Sequence, residues 1–268
     1  MCHYFSQVIH RSIPHYDCAS GACAPGRTFL FMKGMINFPI KLPLTACLIS
    51  IFLLALHVKT GYAQQMIVDD AAITTHRSIQ VETWYGTQES WFQPAIGATS
   101  WLEIGPGIIF NSSDGFVASN WLVEFKAVWG DHEVNGLSWG VVAAPVYDFD
   151  GILEEFYSYL PVTAEFGDGF SVLHLNLGVE GVRPDESADM EYAFTTGIRG
   201  DFVLTNRVAL LSELFTSDFE TPSFQAGLRF TLIPDRLEMD ITYGEGIRQG
   251  MDYPGFNVGI AITPDRLW

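Results

Sequence analysis

After Ala63 this chain alternates apolar and polar residues with period two, and that alternation limits its fold more than any other feature. Phe256, Val258, Ile260 and Ile262 alternate with Asn257, Gly259, Ala261 and Thr263, and Leu237, Met239, Ile241 and Tyr243 with Arg236, Glu238, Asp240 and Thr242. Phe224, Ala226, Leu228, Phe230 and Leu232 stand against Gln225, Gly227, Arg229 and Thr231, and Leu173, Leu175 and Leu177 against His174, Asn176 and Gly178. Successive side chains of a strand point to opposite faces, so each of these segments has one apolar and one polar face. No stretch after Ala63 approaches the ~18 apolar residues of a helical membrane span.

The pattern predicts about twelve strands, with roughly ten to fourteen as the range. They fall near residues 77–87, 90–98, 100–112, 118–129, 137–147, 154–166, 169–179, 190–203, 206–216, 222–233, 235–244 and 254–263. Tight connections at Gly97-Ala98-Thr99, Gly167-Asp168-Gly169, Leu204-Thr205-Asn206 and Pro234-Asp235 contrast with longer polar ones at 180–189 and 245–253. Short turns on one side and longer loops on the other predict an all-β, antiparallel up-and-down barrel. The linker 130–136 is long for the tight side on which it falls.

Aromatic spacing predicts which face is outside. Trp121, Val123, Phe125, Ala127 and Trp129 share one face of the fourth strand, and Glu124 and Lys126 the other. The eight residues from Trp121 to Trp129, at ~3.3 Å each and tilted by about 40°, separate the two indoles by roughly 20 Å along the barrel axis. That is close to the distance between the two aromatic girdles of a membrane barrel. The expected girdle is Trp121, Trp129, Tyr243 and Trp268, with Glu124 and Lys126 turned inward.

Charge divides the chain. Formal net charge is -17, which excludes a nucleic-acid partner. Of 14 basic and 31 acidic residues, five and one lie in 1–63, leaving nine against thirty in the remainder. All 4 cysteines, Cys2, Cys18, Cys23 and Cys47, also lie in 1–63, so the rest has neither a disulfide nor a thiolate metal site, and no cofactor is expected. The apolar run from Leu42 to Val58, flanked by Lys41 and Lys59 and followed by Gly61 and Ala63, has the layout of a secretory signal peptide. We therefore expect an over-extended start at 1–31, a signal peptide at 32–63 and a single barrel domain at 64–268.

The chain end adds a more specific likeness. Phe256, Val258, Ile260, Ile262 and the terminal Trp268 keep one parity. Over Gln64 to Trp268 the sequence resembles a Gram-negative outer-membrane β-barrel of porin-like type, which commonly closes with such a strand. The resemblance implies residence in the outer membrane of a Gram-negative bacterium, with its lipids and lipopolysaccharide as surroundings and the barrel-insertion machinery as a partner. Pro264-Asp265-Arg266 departs from the pattern and repeats the Pro234-Asp235-Arg236-Leu237 turn as Pro264-Asp265-Arg266-Leu267.

Parity places Glu124, Lys126, His174, Arg199, Glu213, Arg229, Glu238 and Asp240 on the lumenal face as the candidate selectivity residues. Two readings stay open: an acidic path for small solutes or cations, or a closed network in which Arg199, Arg229 and Lys126 neutralise neighbouring acids. The alternative function is a non-conducting envelope scaffold or partner-binding barrel. A lipid-modifying enzyme is a minority alternative, because Ser171 lies on the opposite face from His174 and no catalytic set is complete. Asp148, Asp150, Glu154 and Glu155 gather in one stretch without the full calcium-loop pattern, so a solvated acidic loop, bridged to lipopolysaccharide by divalent cations, is expected there.

Overall fold

The computed structural model describes residues 66–264, apart from 113–114, 168, 185–187, 219–220 and 248–253. The expected start, signal peptide and Trp268 lie outside the described residues. Twelve strands form: β1 (Ile79–Gly86), β2 (Glu89–Gly97), β3 (Leu102–Asn111), β4 (Val117–Asp131), β5 (Leu137–Asp148), β6 (Leu153–Phe166), β7 (Ser171–Val182), β8 (Glu191–Thr205), β9 (Val208–Ser217), β10 (Ser223–Ile233), β11 (Leu237–Gly246) and β12 (Gly255–Ile262). Each pairs antiparallel with its sequence neighbours, and β1 closes on β12 from Val81↔Ile262 to Gly86↔Asn257, giving a closed barrel.

Every predicted strand is present, with β7 running on to Val182 and β8 to Thr205. The overlong linker is a one-turn helix, α1 (His132–Asn135). The Asp131 carboxylate caps it by accepting from the Glu133 and Val134 amides, and Gly136, at φ 74°, ends it by donating to His132 O. A capped turn takes up the extra residues, so β4 and β5 remain neighbours and the strand number is unaffected.

The outer wall is apolar and aromatic. Trp121, Phe125 and Trp129 all face out from β4, and Tyr243 is exposed on β11. Towards one rim Trp129 stacks near Trp101 and Trp139, at centroid distances of 6.4 and 4.9 Å; towards the other Trp121 stacks on Tyr147 at 4.9 Å. Trp84 and Trp91 turn inward and join Ile109, Leu122, Ala144 and Val146 in a buried cluster. Tryptophan in this chain therefore marks both walls.

Candidate functional site

The lumen is crossed by the chain itself. Residues 66–76, which show no periodicity, run inside the barrel before β1, and Val68, Ala71 and Thr74 are buried there. An irregular segment leaves its backbone N–H groups without a ladder, so side chains must satisfy them. Inward residues of the wall supply most of the acceptors. Ile67 N and Val68 N donate to the two carboxylate oxygens of Glu213, each at 2.9 Å; Ala71 N donates to Thr163 Oγ1 at 2.7 Å and Thr74 N to Glu103 Oε2 at 2.5 Å. Asn176, its amide oriented with oxygen towards the segment, accepts from Asp69 N at 2.8 Å and donates to Asp69 O at 3.0 Å. The Asp69 and Asp70 carboxylates accept the Asp70 and Ala72 amides.

Strand register explains why these partners share a level. Thr163, His174, Arg199, Glu213 and Gln225 are successive cross-strand partners from β6 to β10. All five are buried on the lumenal side. The segment lies along this polar row: Arg199 Nη1 donates to Val68 O at 2.6 Å, while its Nε and Nη2 form a fork on Asp201 at 2.9 and 3.2 Å. Arg199 Nη2 also meets His174 Nε2 at 3.1 Å, and His174 Nδ1 lies 2.9 Å from Thr163 Oγ1. A guanidinium can only donate, so Nε2 accepts and the ring proton sits on Nδ1 towards Thr163.

The opposite wall contributes charge. Lys126 Nζ lies 2.8 Å from Asp69 Oδ2 and 3.3 Å from Asp70 Oδ1, and Tyr159 OH donates to Asp69 Oδ2 at 2.9 Å. Burial opposes ionisation of Asp70, but the Lys126 ammonium and Arg199 guanidinium outweigh it and hold the carboxyl well below the usual carboxylate range. Arg229 binds Asp240 through two nitrogens at 2.9 and 2.7 Å, with Glu238 and Asp201 at 3.6 and 3.8 Å. Glu124 accepts from Tyr157 OH at 2.8 Å and Gln93 Nε2 at 3.4 Å.

The eight candidate residues thus fall into separate groups. Lys126, Arg199 and Glu213 hold the N-terminal segment, and His174 orients Arg199. Arg229, Glu238 and Asp240 form an ion cluster beyond the segment, and Glu124 stands with neutral donors. Parity put Asn176 on the inward face with His174, whereas the partners Asp69, Asp70 and Thr163 were missed in the sequence; only parity could have put Thr163 inside. Both nitrogens of His174 are engaged by Thr163 and Arg199, and Ser171 is not brought to it. The acidic stretch at 148–155 is split: Asp148 Oδ1 accepts from Ile152 N, Glu154 from Asn120 Nδ2, and Glu155 turns into the lumen. Among the described residues no group of three or more His, Cys, Asp or Glu is arranged to hold a metal ion.

Two cavities border the segment. One, of about 260 Å³, extends over β1 to β4 and β6 to β9; the other, of about 90 Å³, is lined by Trp84, Arg229, Asp240, Asn257 and Gly259. A closed antiparallel barrel with an apolar outer wall and a polar lumen is the architecture of porin-like outer-membrane β-barrels. The KdgM porin in complex with disordered oligogalacturonate shares it at a TM-score of 0.53 and 11% identity, over 69% of this chain and 98% of that one. The COG4313 outer membrane channel from Pseudomonas putida F1 shares it at 0.51 and 9%, over 75% and 100%. At these identities the likeness is one of fold. Residues 50–263 match the family described as Uncharacterised conserved protein UCP029691, and the chain belongs to that family. No curated protein matches the sequence.

Proposed function

We propose that this protein is a channel of the Gram-negative outer membrane, passing small neutral or cationic solutes through a lumen narrowed by residues 66–76. The observation that carries this reading is the charge around the larger cavity, which among the described residues is lined by seven carboxylates, Asp69, Asp70, Glu82, Glu103, Glu124, Glu155 and Glu180, and two bases, Lys126 and Arg199. Such a wall attracts cations and repels anions. The KdgM porin was solved in complex with oligogalacturonate; uronate carboxylates are anionic, and the acidic lining of this lumen disfavours such a ligand here. In this reading the outer wall meets membrane lipid, the polar loops meet lipopolysaccharide, and the barrel-insertion machinery is the assembly partner.

The test is planar-bilayer recording of the detergent-extracted protein, checked for heat-modifiable gel mobility. Small steps with a cation-selective reversal potential are expected. The engagement of Glu213, Arg199 and Lys126 by the segment favours the rival, a filled barrel serving as envelope scaffold. Folded protein that inserts without conducting would establish that rival.

A further inference from the structure

On the inner wall an aromatic rung adjoins an acidic one. β1 turns Glu82 and Trp84 into the lumen two residues apart, and their register partners on β2 are Gln93 and Trp91. The two indoles stack with centroids 5.4 Å apart and planes at 20°. On the adjoining rung Gln93 and Tyr157 hold Glu124 with neutral donors, Gln80 donates to Glu82, and Tyr157 packs against the cluster containing both indoles. The ion pairs of Lys126 and Arg199 go to Asp69, Asp70 and Asp201.

A second feature is independent of the acids. Trp84 is only 5% exposed and its indole Nε1 has no hydrogen-bond partner among the described residues, while its side chain borders both cavities. Buried donors without partners are rare in folded proteins, and one bordering a polar cavity is placed to meet a ligand's acceptor.

We infer that this wall is a binding site for a small organic ammonium ion that also carries a hydroxyl group. Its positive head lies against the stacked indoles beside Glu82 and Glu124, where carboxylate attraction and the negative faces of the rings act together. Its hydroxyl oxygen accepts from Trp84 Nε1. The cavity of about 260 Å³ suits a ligand of on the order of ten non-hydrogen atoms. A neutral sugar would stack on the indoles but draw nothing from the charge of Glu124. The inference rests on the proposal that solutes enter the lumen.

Choline, its neutral carbon isostere 3,3-dimethylbutan-1-ol, and tetramethylammonium separate the contributions. Each is titrated into detergent-extracted protein by tryptophan fluorescence and into bilayers during potassium conduction. Choline is expected to saturate the fluorescence change and to block potassium current, with the neutral isostere weaker by about tenfold or more. Trp84→Phe should abolish the preference for choline over tetramethylammonium, and Glu124→Gln should weaken both cations.

Equal binding of choline and its isostere overturns the inference. So does the lack of a choline response in protein that conducts potassium, which leaves the channel proposal standing. Saturable choline binding to a folded barrel that never conducts supports the site and removes the channel. The wild-type comparison of charged and neutral isosteres decides the matter even if a variant fails to fold.

Discussion

Lys126 Nζ stands 2.8 Å from Asp69 Oδ2 and 3.3 Å from Asp70 Oδ1, tying β4 to a segment that precedes the first strand. The lysine is buried, whereas the two acids are about a third exposed to the lumen. Lys126→Met leaves both carboxylates without this partner. Removing one member of a buried pair costs about 3–5 kcal/mol; the exposure of the acids reduces this to about 1–3 kcal/mol. The expected result is a lower urea midpoint in detergent and a potassium conductance raised as residues 66–76 leave the lumen. Adding Asp69→Asn and Asp70→Asn should recover the midpoint while the conductance stays high.

Glu213 receives two successive amides, Ile67 N and Val68 N, on its two oxygens. Glu213→Gln replaces one acceptor by an NH₂ group that confronts an N–H, leaving a buried donor without a partner. The loss of about 1–2 kcal/mol should speed hydrogen exchange at these two amides by roughly tenfold or more, with strand amides of β9 unchanged. Unaltered exchange at Ile67 and Val68 would show that the segment is held elsewhere.

What the sequence made legible follows from what is local in it. Period two belongs to the chain itself, so the twelve strands and the inward turn of Glu124, Lys126 and Glu213 could be read without partners. Val68-Asp69-Asp70-Ala71-Ala72 has no period, and its hydrogen-bond partners Thr163 and Glu213 lie 92 and 145 residues away from the amides they accept. Closure of the barrel alone brings them together. Trp84 and Trp91 were obscured for a different reason: an indole suits either a lipid interface or a lumenal cluster, and only parity with Glu82 separates the two. The α1 turn was read only as an overlong linker, although Asp131 and Gly136, a capping acid and a left-handed glycine flanking four residues, carry its signal.

Leu228 faces outward on β10, between Leu210 of β9 and Ile241 of β11. In a bilayer this position meets hydrocarbon, and Leu228→Arg should cost about 2–4 kcal/mol near the midplane. Denaturant unfolding from lipid vesicles measures this; a cost near zero would show that this wall meets water.

Arg229 stands 2.7, 3.6 and 3.8 Å from Asp240, Glu238 and Asp201, sharing Asp201 with Arg199. It is 27% exposed at its side chain, so water in the adjoining cavity can solvate the acids when the guanidinium is gone. Arg229→Gln should keep heat-modifiable mobility and shift the reversal potential towards stronger cation selectivity. A shift towards anions would contradict an electrostatic role for the cluster.

Gly259 sits on the inner face of β12, its register partners being Trp84 on β1 and Asp240 on β11. A Cβ added there would meet Trp84 Cβ at 3.6 Å and Asp240 Cβ at 3.9 Å, ordinary van der Waals contacts. The glycine therefore leaves open the space between an indole and an ion pair, where the cavity of about 90 Å³ lies. Gly259→Ala should fold normally and change conductance little. Gly259→Phe would place a ring in that space, since an inward side chain on a strand stands roughly perpendicular to the sheet. If solutes pass between Trp84 and Asp240, Gly259→Phe should reduce single-channel conductance severalfold while thermal stability in detergent stays close to that of the Ala variant. Equal conductance in the Phe and Ala variants would move the path to the larger cavity, on the wall formed by β2, β4 and β6.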